Sequence, residues 1–276
     1  MKRIVLPLFT MIALLLYTPL LYAGMNTIEG ANGCAFNPFA YPTNADGEWG
    51  NYTVLGHEIS VSKPQIGMWY TLLDDVRVDW GSWSYSQSFF KRLEFSYAYE
   101  LIHNEVTNTS KHTVGTKYLI LEENAFDTSF IPAISFGCQF KNTNNVKGSA
   151  DSYSFDFYAV GSKMIKQLPL PLLLSGGFLW TRGHTNGVFG YDPGYDCVLL
   201  ANAELFVLKN VIVGYEIKEG PNYGSWRDSH YMDGHLAWMP TNNVTVVAAL
   251  VYTGNEKNTR KVGLGEGLVL SLQYTF

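Results

Sequence analysis

The sequence predicts an all-β fold, a transmembrane antiparallel up-and-down β-barrel of about 12 strands within a range of roughly 10–14. Three observations predict it. Apolar and polar residues alternate with a period of two in one segment after another. The links between these segments alternate between short and long. Aromatic residues are abundant, with 18 Tyr, 16 Phe and 7 Trp in 276 residues, and membrane barrels place such residues in girdles at the two bilayer interfaces.

The clearest alternation is at the end of the chain. Residues 268–276 read Leu-Val-Leu-Ser-Leu-Gln-Tyr-Thr-Phe. The three leucines and the two aromatics fall on one face of a strand, whereas the serine, glutamine and threonine fall on the other. A strand with an apolar outer face and a polar inner face that ends on an aromatic, here Phe276, is similar to the closing strand of bacterial outer-membrane proteins.

The same period predicts twelve strands along the chain. They are 65–73, 76–86, 92–102, 114–121, 131–141, 153–165, 170–182, 198–208, 211–218, 232–238, 244–253 and 267–276. The short links are 87–91, 166–169, 209–210 and 239–243, and the long links are 103–113, 142–152, 183–197, 219–231 and 254–266. Membrane barrels have short periplasmic turns and long outer loops. The link 122–130 is longer than a tight turn, and the first hairpin, at 74–75, is shorter than a typical outer loop.

The first 23 residues have the features of a cleaved signal peptide. Lys2 and Arg3 precede an almost wholly apolar run, 4–21, and cleavage is expected after Ala23. An uncleaved anchor helix is the alternative. No later apolar run reaches the roughly 18–20 residues of a membrane helix, which leaves a soluble periplasmic protein or a barrel, and the barrel is favoured.

The mature chain divides into two parts. Residues 24–52 are rich in Gly, Asn, Pro and aromatics and show no sustained period. They form an irregular N-terminal segment that either plugs the lumen or hangs in the periplasm. Residues 53–276 form the barrel, and 53–62 either adds a strand or extends the first one.

Charge and cysteine content exclude some functions. The net charge is −5, and removal of Lys2 and Arg3 makes it −7. Such a chain lacks the clustered cations that a nucleic-acid surface needs, so no nucleic-acid partner is expected. Three cysteines are an odd number for an oxidising compartment. Cys138 is expected on the lipid-facing side of a strand, and whether Cys34 and Cys197 pair stays open.

Several stretches together resemble a known family. They are Ile28-Glu-Gly-Ala-Asn-Gly33, Phe36-Asn-Pro-Phe39, Arg92-Leu-Glu-Phe-Ser96, Tyr215-Glu-Ile-Lys-Glu-Gly-Pro-Asn222 and Asp233-Gly-His-Leu-Ala-Trp-Met-Pro240, followed by the ending around 270–273. In order and spacing the chain is similar to a family of Gram-negative proteins catalogued as a domain of unknown function and labelled outer-membrane proteins. The resemblance implies an outer-membrane location. It supplies no activity and no functional residues.

The inward face of the predicted strands carries charges of both signs. The candidate lumen-lining residues are Arg77, Asp79, Glu94, Glu100, Lys117, Asp156, Glu204, Glu216, Asp233 and His235, with Gln139, Lys141, Asn202 and Lys218 on the same face. Such groups either pair across the lumen as a polar network or line a water-filled pore that selects solutes. Acidic residues slightly outnumber basic ones, which favours cations or neutral solutes.

Catalytic and metal patterns are weak. Asp233 and His235 have a D-x-H spacing that places both on one strand face, as a carboxylate orienting a base would require, but a hydrogen bond inside the lumen explains it as well. Ser229 and His230 are consecutive and cannot share a strand face. A cation site at His184, Asp192 and Asp196 lacks a defined ligand spacing. No cofactor or resident metal is expected, and whether the chain is an enzyme is uncertain, with a non-enzyme favoured.

The function predicted from sequence is an outer-membrane channel for small polar solutes. A lipid hydrolase on a barrel and a non-conducting structural or interaction barrel are the alternatives. The expected partners are outer-membrane lipids and lipopolysaccharide, the barrel-assembly machinery through the strand ending in Phe276, and small polar solutes.

Overall fold

The structure is a computed structural model that describes residues 24–74, 77–103, 108–146, 148–224, 226–254 and 261–276. The expected signal peptide, 1–23, lies outside these residues. Fourteen strands are present in the described part of the chain: β1 (Glu48–Val54), β2 (His57–Ser62), β3 (Gln65–Leu73), β4 (Val78–Phe89), β5 (Leu93–His103), β6 (Asn108–Leu121), β7 (Ala133–Thr143), β8 (Tyr153–Ile165), β9 (Leu172–Gly183), β10 (Tyr191–Leu208), β11 (Val211–Lys218), β12 (Tyr231–Trp238), β13 (Val244–Tyr252) and β14 (Glu266–Thr275).

Strands β3 to β14 close into a barrel. Each strand pairs antiparallel with the next one along the chain, and β14 pairs with β3 over nine residues, from Gly267↔Leu73 to Thr275↔Gln65. The pairing of β4 with β5 completes the ring. The predicted antiparallel barrel of 12 strands is therefore confirmed. Among the described residues, no helix is long and apolar enough to cross a membrane.

Most predicted strands are observed within a few residues, and two begin much earlier than predicted. Strand β6 begins at Asn108 rather than 114, and β10 begins at Tyr191 rather than 198. The early part of β6 looks like a loop in the sequence because its outward residues Ser110 and His112 are also polar, so the apolar–polar alternation is absent there. Its inward residues, Thr109, Lys111 and Thr113, are buried inside the barrel.

The hairpin of β1 and β2 lies outside the ring of twelve strands. Its two strands pair with each other, and β2 joins the barrel wall at the pair Val61↔Phe89. The rings of Trp49 and Phe276 pack edge to face, with their centroids 6.1 Å apart. The predicted boundary between an irregular segment and a barrel, at residue 53, falls inside β1, and the irregular part ends at residue 47.

The outer face of the barrel is apolar. Along β14 the side chains of Leu268, Leu270 and Leu272 are 42–50% exposed, whereas Ser271 and Gln273 are buried. The same alternation holds along β3, where the burial pattern changes at every residue. Exposed apolar side chains on every other residue suit a hydrocarbon solvent outside and a polar interior.

The two ends of the barrel differ. At the end that holds Gln65 and Thr275, here called the terminal end, the links are short, except for 122–132, which contains the 3-10 turn Ala125–Asp127. At the opposite end, here called the loop end, longer links run over 184–190, 219–230 and 253–265. The link between β3 and β4 also lies at the loop end, and it is short, as the sequence indicates.

The lipid-facing surface predicts a depth-dependent cost of charge. Leu270→Arg, at the middle of β14, is expected to destabilise the barrel by about 2–4 kcal/mol, because a cation at the bilayer midplane is poorly solvated. The matched control is Leu208→Arg at the end of β10, where a cost of about 0–1 kcal/mol is expected. Denaturant unfolding in lipid vesicles, followed by Trp fluorescence, measures both. Equal costs at the two sites would contradict a membrane-spanning wall.

Candidate functional site in the barrel interior

Residues 24–43, here called the interior segment, fill the inside of the barrel. All of them are buried except Phe36 and Tyr41, which are partly buried. The segment lies beside Gln65 at Gly24 and Asn26, and at Thr43 it lies beside Ser86 and Glu94, again at the terminal end. The barrel wall therefore surrounds a second layer made by its own N-terminal chain.

The entry of the interior segment is held at Asn26. Its backbone N–H donates to Gln273 Oε1 at 3.0 Å, and its carbonyl accepts from the Trp69 indole at 2.7 Å. The Gln65 side chain donates to Asn26 Oδ1 at 3.0 Å. Strands β3 and β14 present these side chains because the period of two turns Gln65, Trp69 and Gln273 inward. The alternation that exposes leucines to lipid therefore also supplies the anchor for the segment.

Glu29 is the one charged residue of the interior segment, and it pairs with two lysines of the wall. Its Oε1 lies 2.8 Å from Lys111 Nζ and 2.6 Å from Lys141 Nζ. Lys111 also contacts Glu100 at 3.1 Å, and Lys141 contacts Asp156 at 2.9 Å. All five side chains are at most 7% exposed. Buried charges persist only when they are paired and hydrogen-bonded, and this cluster meets that condition.

A second buried ion pair fixes the two legs of the interior segment to each other. Glu94 contacts Lys117 at 3.0 Å, with both side chains nearly fully buried. The Glu94 carboxylate also accepts from the backbone N–H of Asn32 at 3.1 Å and of Thr43 at 2.7 Å. One wall residue thus binds both the middle and the end of the segment.

Glu216 receives a turn of the interior segment. Its carboxylate accepts from three consecutive backbone N–H groups, those of Ala35 at 2.7 Å, Phe36 at 3.1 Å and Asn37 at 2.9 Å. The Asn37 side chain also donates to the carbonyl of Ile217 at 2.9 Å. Successive N–H groups that converge form an anion-binding concavity. Here the anion is a side chain of the protein's own wall.

Beside this turn lies a chain of ionisable groups. The Cys34 thiol donates to Glu204 Oε1 at 2.9 Å, and Glu204 Oε2 lies 2.8 Å from His235 Nε2. The other imidazole nitrogen, Nδ1, lies 2.7 Å from Asp233 Oδ1. Both ring nitrogens of His235 therefore face carboxylate oxygens at hydrogen-bonding distance. The D-x-H pair of the sequence therefore does make contact, inside the barrel.

Eight of the ten candidate lining residues point inward. Glu94, Glu100, Lys117, Asp156, Glu204, Glu216, Asp233 and His235 are buried in the interior, as are Gln139, Lys141, Asn202 and Lys218. They contact one another and the interior segment.

Arg77 and Asp79 were predicted to face inward, and the structure corrects both. Arg77 is exposed and precedes β4 at a turn with φ of 46°. Asp79 is exposed on the outer face, where it accepts a hydrogen bond from the Tyr70 hydroxyl at 3.0 Å. The inward position next to it belongs to Trp80, whose indole donates to Glu100 at 3.0 Å. A charge is thus an unreliable guide to orientation near the end of a strand, where water is close.

The sequence missed the partners that organise the site. Glu29 lies in a segment without periodicity, so nothing local indicates its position. Lys111 could have been found, because the inward alternation of β6 continues upstream through Thr113 and Lys111. Cys34 and Cys197 are both free: Cys34 is buried inside, and Cys197 is exposed. Cys138 lies on the outward face of β7 and is partly buried.

Other candidate groups lie at the loop end. His230 Nδ1 accepts from the N–H of Gly220 at 3.3 Å. His184 stacks on Trp226, with ring centroids 4.7 Å apart, and contacts Asp192 at 3.4 Å. These are contacts between aromatic and polar side chains of the loops. In the described part of the chain, the hydrogen-bond partners of His230 and His235 are Gly220, Asp233 and Glu204, and none is a serine hydroxyl.

Asp228 ties two loops together at the loop end. Its carboxylate accepts from the backbone N–H of Thr185 at 2.6 Å and from the Trp226 indole at 2.6 Å. Burial is the main cause that raises the pKa of Asp228 from 3.8 to about 6, against the opposing effect of these hydrogen bonds. The loops 184–190 and 219–230 are joined by this contact.

The comparisons with known proteins agree with this architecture. The family model described as "Protein of unknown function (DUF3034)" matches residues 22–273. A search of curated proteins found no significant match. Among solved structures, the NanC porin is similar with a TM-score of 0.52 and 10% identity, over 76% of this chain and 98% of that chain. The KdgM porin is similar with a TM-score of 0.53 and 13% identity, over 77% and 99%. At these identities the likeness shows a shared barrel fold.

The buried pair Glu94–Lys117 predicts a large cost when one partner is removed. Glu94→Gln leaves the Lys117 ammonium buried without its counter-charge, and a loss of about 3–5 kcal/mol in unfolding free energy is expected. The control is Glu122→Gln, which breaks an exposed pair with Arg92 and should cost about 1 kcal/mol or less. Denaturant unfolding measures both. Similar costs for the two variants would show that the interior pair is solvated.

The Asp228 contact predicts a pH-dependent loop end. Because its folded pKa lies above the ordinary value, the folded loops bind the proton more tightly than the unfolded chain does. This contribution is fully present below pH 3.8 and is lost as the pH rises through about 6. Amide exchange in 184–190, corrected for the intrinsic pH dependence of exchange, should show more protection at pH 5 than at pH 8. Asp228→Asn should remove the difference, and an unchanged pH response in that variant would contradict the assignment.

Proposed function

Because this chain belongs to the family described as Protein of unknown function (DUF3034), its role has to be inferred from its own residues, and we propose that it is a gated outer-membrane channel for small polar solutes. The barrel wall is the channel, and the interior segment is its gate. In the conformation described here the gate is closed.

The observation that carries the proposal is the polar character of the contact between segment and wall. Glu29 of the interior segment forms ion pairs with two lysines of the wall. The wall carboxylates of Glu94 and Glu216 accept hydrogen bonds from two and three backbone N–H groups of the segment, respectively. A purely structural filling would be at least as stable with apolar side chains, because burying ion pairs gains little net free energy. A wall that has to meet water when the segment leaves needs these polar groups.

The closed state follows from the packing. The void between Glu29, Lys218 and Tyr158 offers about 10 Å³, which is roughly the room of one water molecule. Passage of a solute therefore requires the interior segment to move. The exposed inner wall would then present charges of both signs, a lining that accepts small polar solutes and, through its acidic surplus, weakly prefers cations or neutral molecules.

The proposed location is the outer membrane of a Gram-negative bacterium. The apolar outer face and the closing strand that precedes Phe276 support it. In this proposal residues 1–23 are a signal peptide that is removed after Ala23, so that the mature chain begins at the entry of the interior segment. Outer-membrane lipid, lipopolysaccharide and the barrel-assembly machinery, which would read the C-terminal strand, are its partners.

The second candidate function is a non-conducting barrel that acts through its loops. The observation that favours it is the number of buried partners that hold the interior segment, since each bond has to break before the lumen opens. The loop end, where Asp228 joins two loops, would then be the functional surface. A lipid hydrolase gains no support from the contacts of His235 or His230.

Single-channel recording in planar bilayers distinguishes the two candidates. Wild-type protein should be closed most of the time. Glu29→Gln breaks two buried ion pairs of the gate and should destabilise the closed state by about 3–5 kcal/mol. That loss corresponds to a rise of roughly 100-fold or more in the ratio of open to closed channels. The control, Glu122→Gln, keeps the gate contacts and should behave like the wild type.

Deletion of residues 24–43 removes the gate itself. The deleted barrel should conduct continuously, because nothing then fills the lumen. A difference in gel migration between boiled and unboiled samples shows whether the barrel has folded. A folded deletion variant without conductance would reject the channel and favour the interaction barrel.

A further inference from the structure

Three chemically different ligand groups meet where the interior segment crosses β10 and β12. The ligand atoms of Cys34, Glu204 and His235 all lie within 4.8 Å of one another, and all three side chains are buried. Cys34 comes from the segment, whereas Glu204 and His235 come from the wall. Thiolate, carboxylate and imidazole are the ligands that Zn²⁺ takes in proteins.

The surroundings of these groups resemble the outer shell of a metal site. Asp233 holds His235 by Nδ1 at 2.7 Å, which directs Nε2 toward Cys34 and Glu204. A carboxylate on the far nitrogen of an imidazole is the usual partner of a histidine that binds metal. The space beside the cluster, lined by Met25, Trp69, Val247 and Ala249, has no room for a water molecule, so the groups lie in a dry pocket.

The charges of the interior are unevenly distributed. Lys111, Lys141 and Lys218 are matched in number by Glu29, Glu100 and Asp156, and Lys117 is matched by Glu94. Among the described residues, three carboxyl groups, those of Glu204, Glu216 and Asp233, and one imidazole, that of His235, lie around Cys34. Asp233 Oδ2 is moreover buried without a hydrogen-bond partner. This corner of the interior therefore contains more carboxyl groups than basic groups.

We propose that Cys34, Glu204 and His235 form a Zn²⁺ site that binds the interior segment to the barrel wall. The hydrogen bonds that join Glu204 to Cys34 Sγ and to His235 Nε2 each hold one proton, so two protons lie between the three ligand groups. When Zn²⁺ binds, these two protons leave to solvent, and Zn–S and Zn–N bonds form in place of the two hydrogen bonds. One divalent cation replaces two protons, so the buried charge does not change, and the ion adds no net charge to a dry interior.

The metal site does not depend on the proposed channel, although its consequence for gating does. A Zn²⁺ ion with one ligand on the segment and two on the wall is a cross-link that keeps the segment inside. The oxygen-preferring cations Mg²⁺ and Ca²⁺ should bind weakly, because a thiolate and an imidazole are poor ligands for them.

The test is metal stoichiometry on the full mature chain folded in detergent. Wild-type protein equilibrated with Zn²⁺ and then freed of loose ions should keep one Zn²⁺ per chain by elemental analysis, and Co²⁺ in its place should show the absorption of a cobalt–thiolate bond. Cys34→Ser and His235→Gln should weaken binding by roughly 10- to 100-fold or more. Cys138→Ser and Cys197→Ser change cysteines outside the site and should keep full binding.

The outcomes separate clearly. Retention of the ion in Cys34→Ser, loss of it in the two control variants, or a wild-type chain that binds none after refolding with Zn²⁺ would each overturn the site. Heat-dependent gel migration identifies any variant whose barrel has not folded. If Cys34→Ser does not fold, Cys34→Ala with added Zn²⁺ takes its place and should likewise bind the ion more weakly than the wild type. Zn²⁺ binding with no effect on conductance would keep the site and reject only its role in the gate.

Discussion

In a hydrocarbon solvent every backbone N–H and C=O has to find its partner within the protein, and this constraint determines the rest of the molecule. A sheet meets it only by closing, which β14 with β3 and β4 with β5 achieve. Closure then creates an interior surface opposite the lipid face. Because side chains alternate along a strand, every leucine that faces lipid has a neighbour that faces inward.

That interior surface is polar, and its groups also have to be satisfied. A wide barrel can do so with water, and a narrow one with its own side chains. Here a third solution is present, in which the first residues of the described chain enter the barrel and supply counter-charges and backbone N–H groups. Glu29 forms ion pairs with Lys111 and Lys141, and the turn at Ala35 donates backbone N–H groups to Glu216. The interior segment and the wall therefore depend on each other, which is why a gate and a metal cross-link are reasonable roles for this contact.

Much of the wall could be predicted from residues taken in isolation. The orientation of Glu94, Glu216 and His235 followed from a period of two, and all three are inward. The rule failed near strand ends, where Asp79 lies outward beside Tyr70. It also missed the first part of β6, because the outward residues Ser110 and His112 are polar and the alternation is absent there. The local alternation predicts the face of the strand on which a side chain lies, but it does not predict which residue that side chain contacts.

By itself the sequence determined the membrane barrel, its approximate number of strands and the side of the wall on which most residues lie, because these properties depend on local periodicity. The tertiary structure alone decided that residues 24–43 occupy the lumen, that Glu29 pairs with lysines more than 80 positions away, and that Cys34 meets Glu204 and His235. These contacts join an aperiodic segment to distant strands. No local pattern encodes them, since they arise only when the closed wall brings its inward side chains around the chain that enters it.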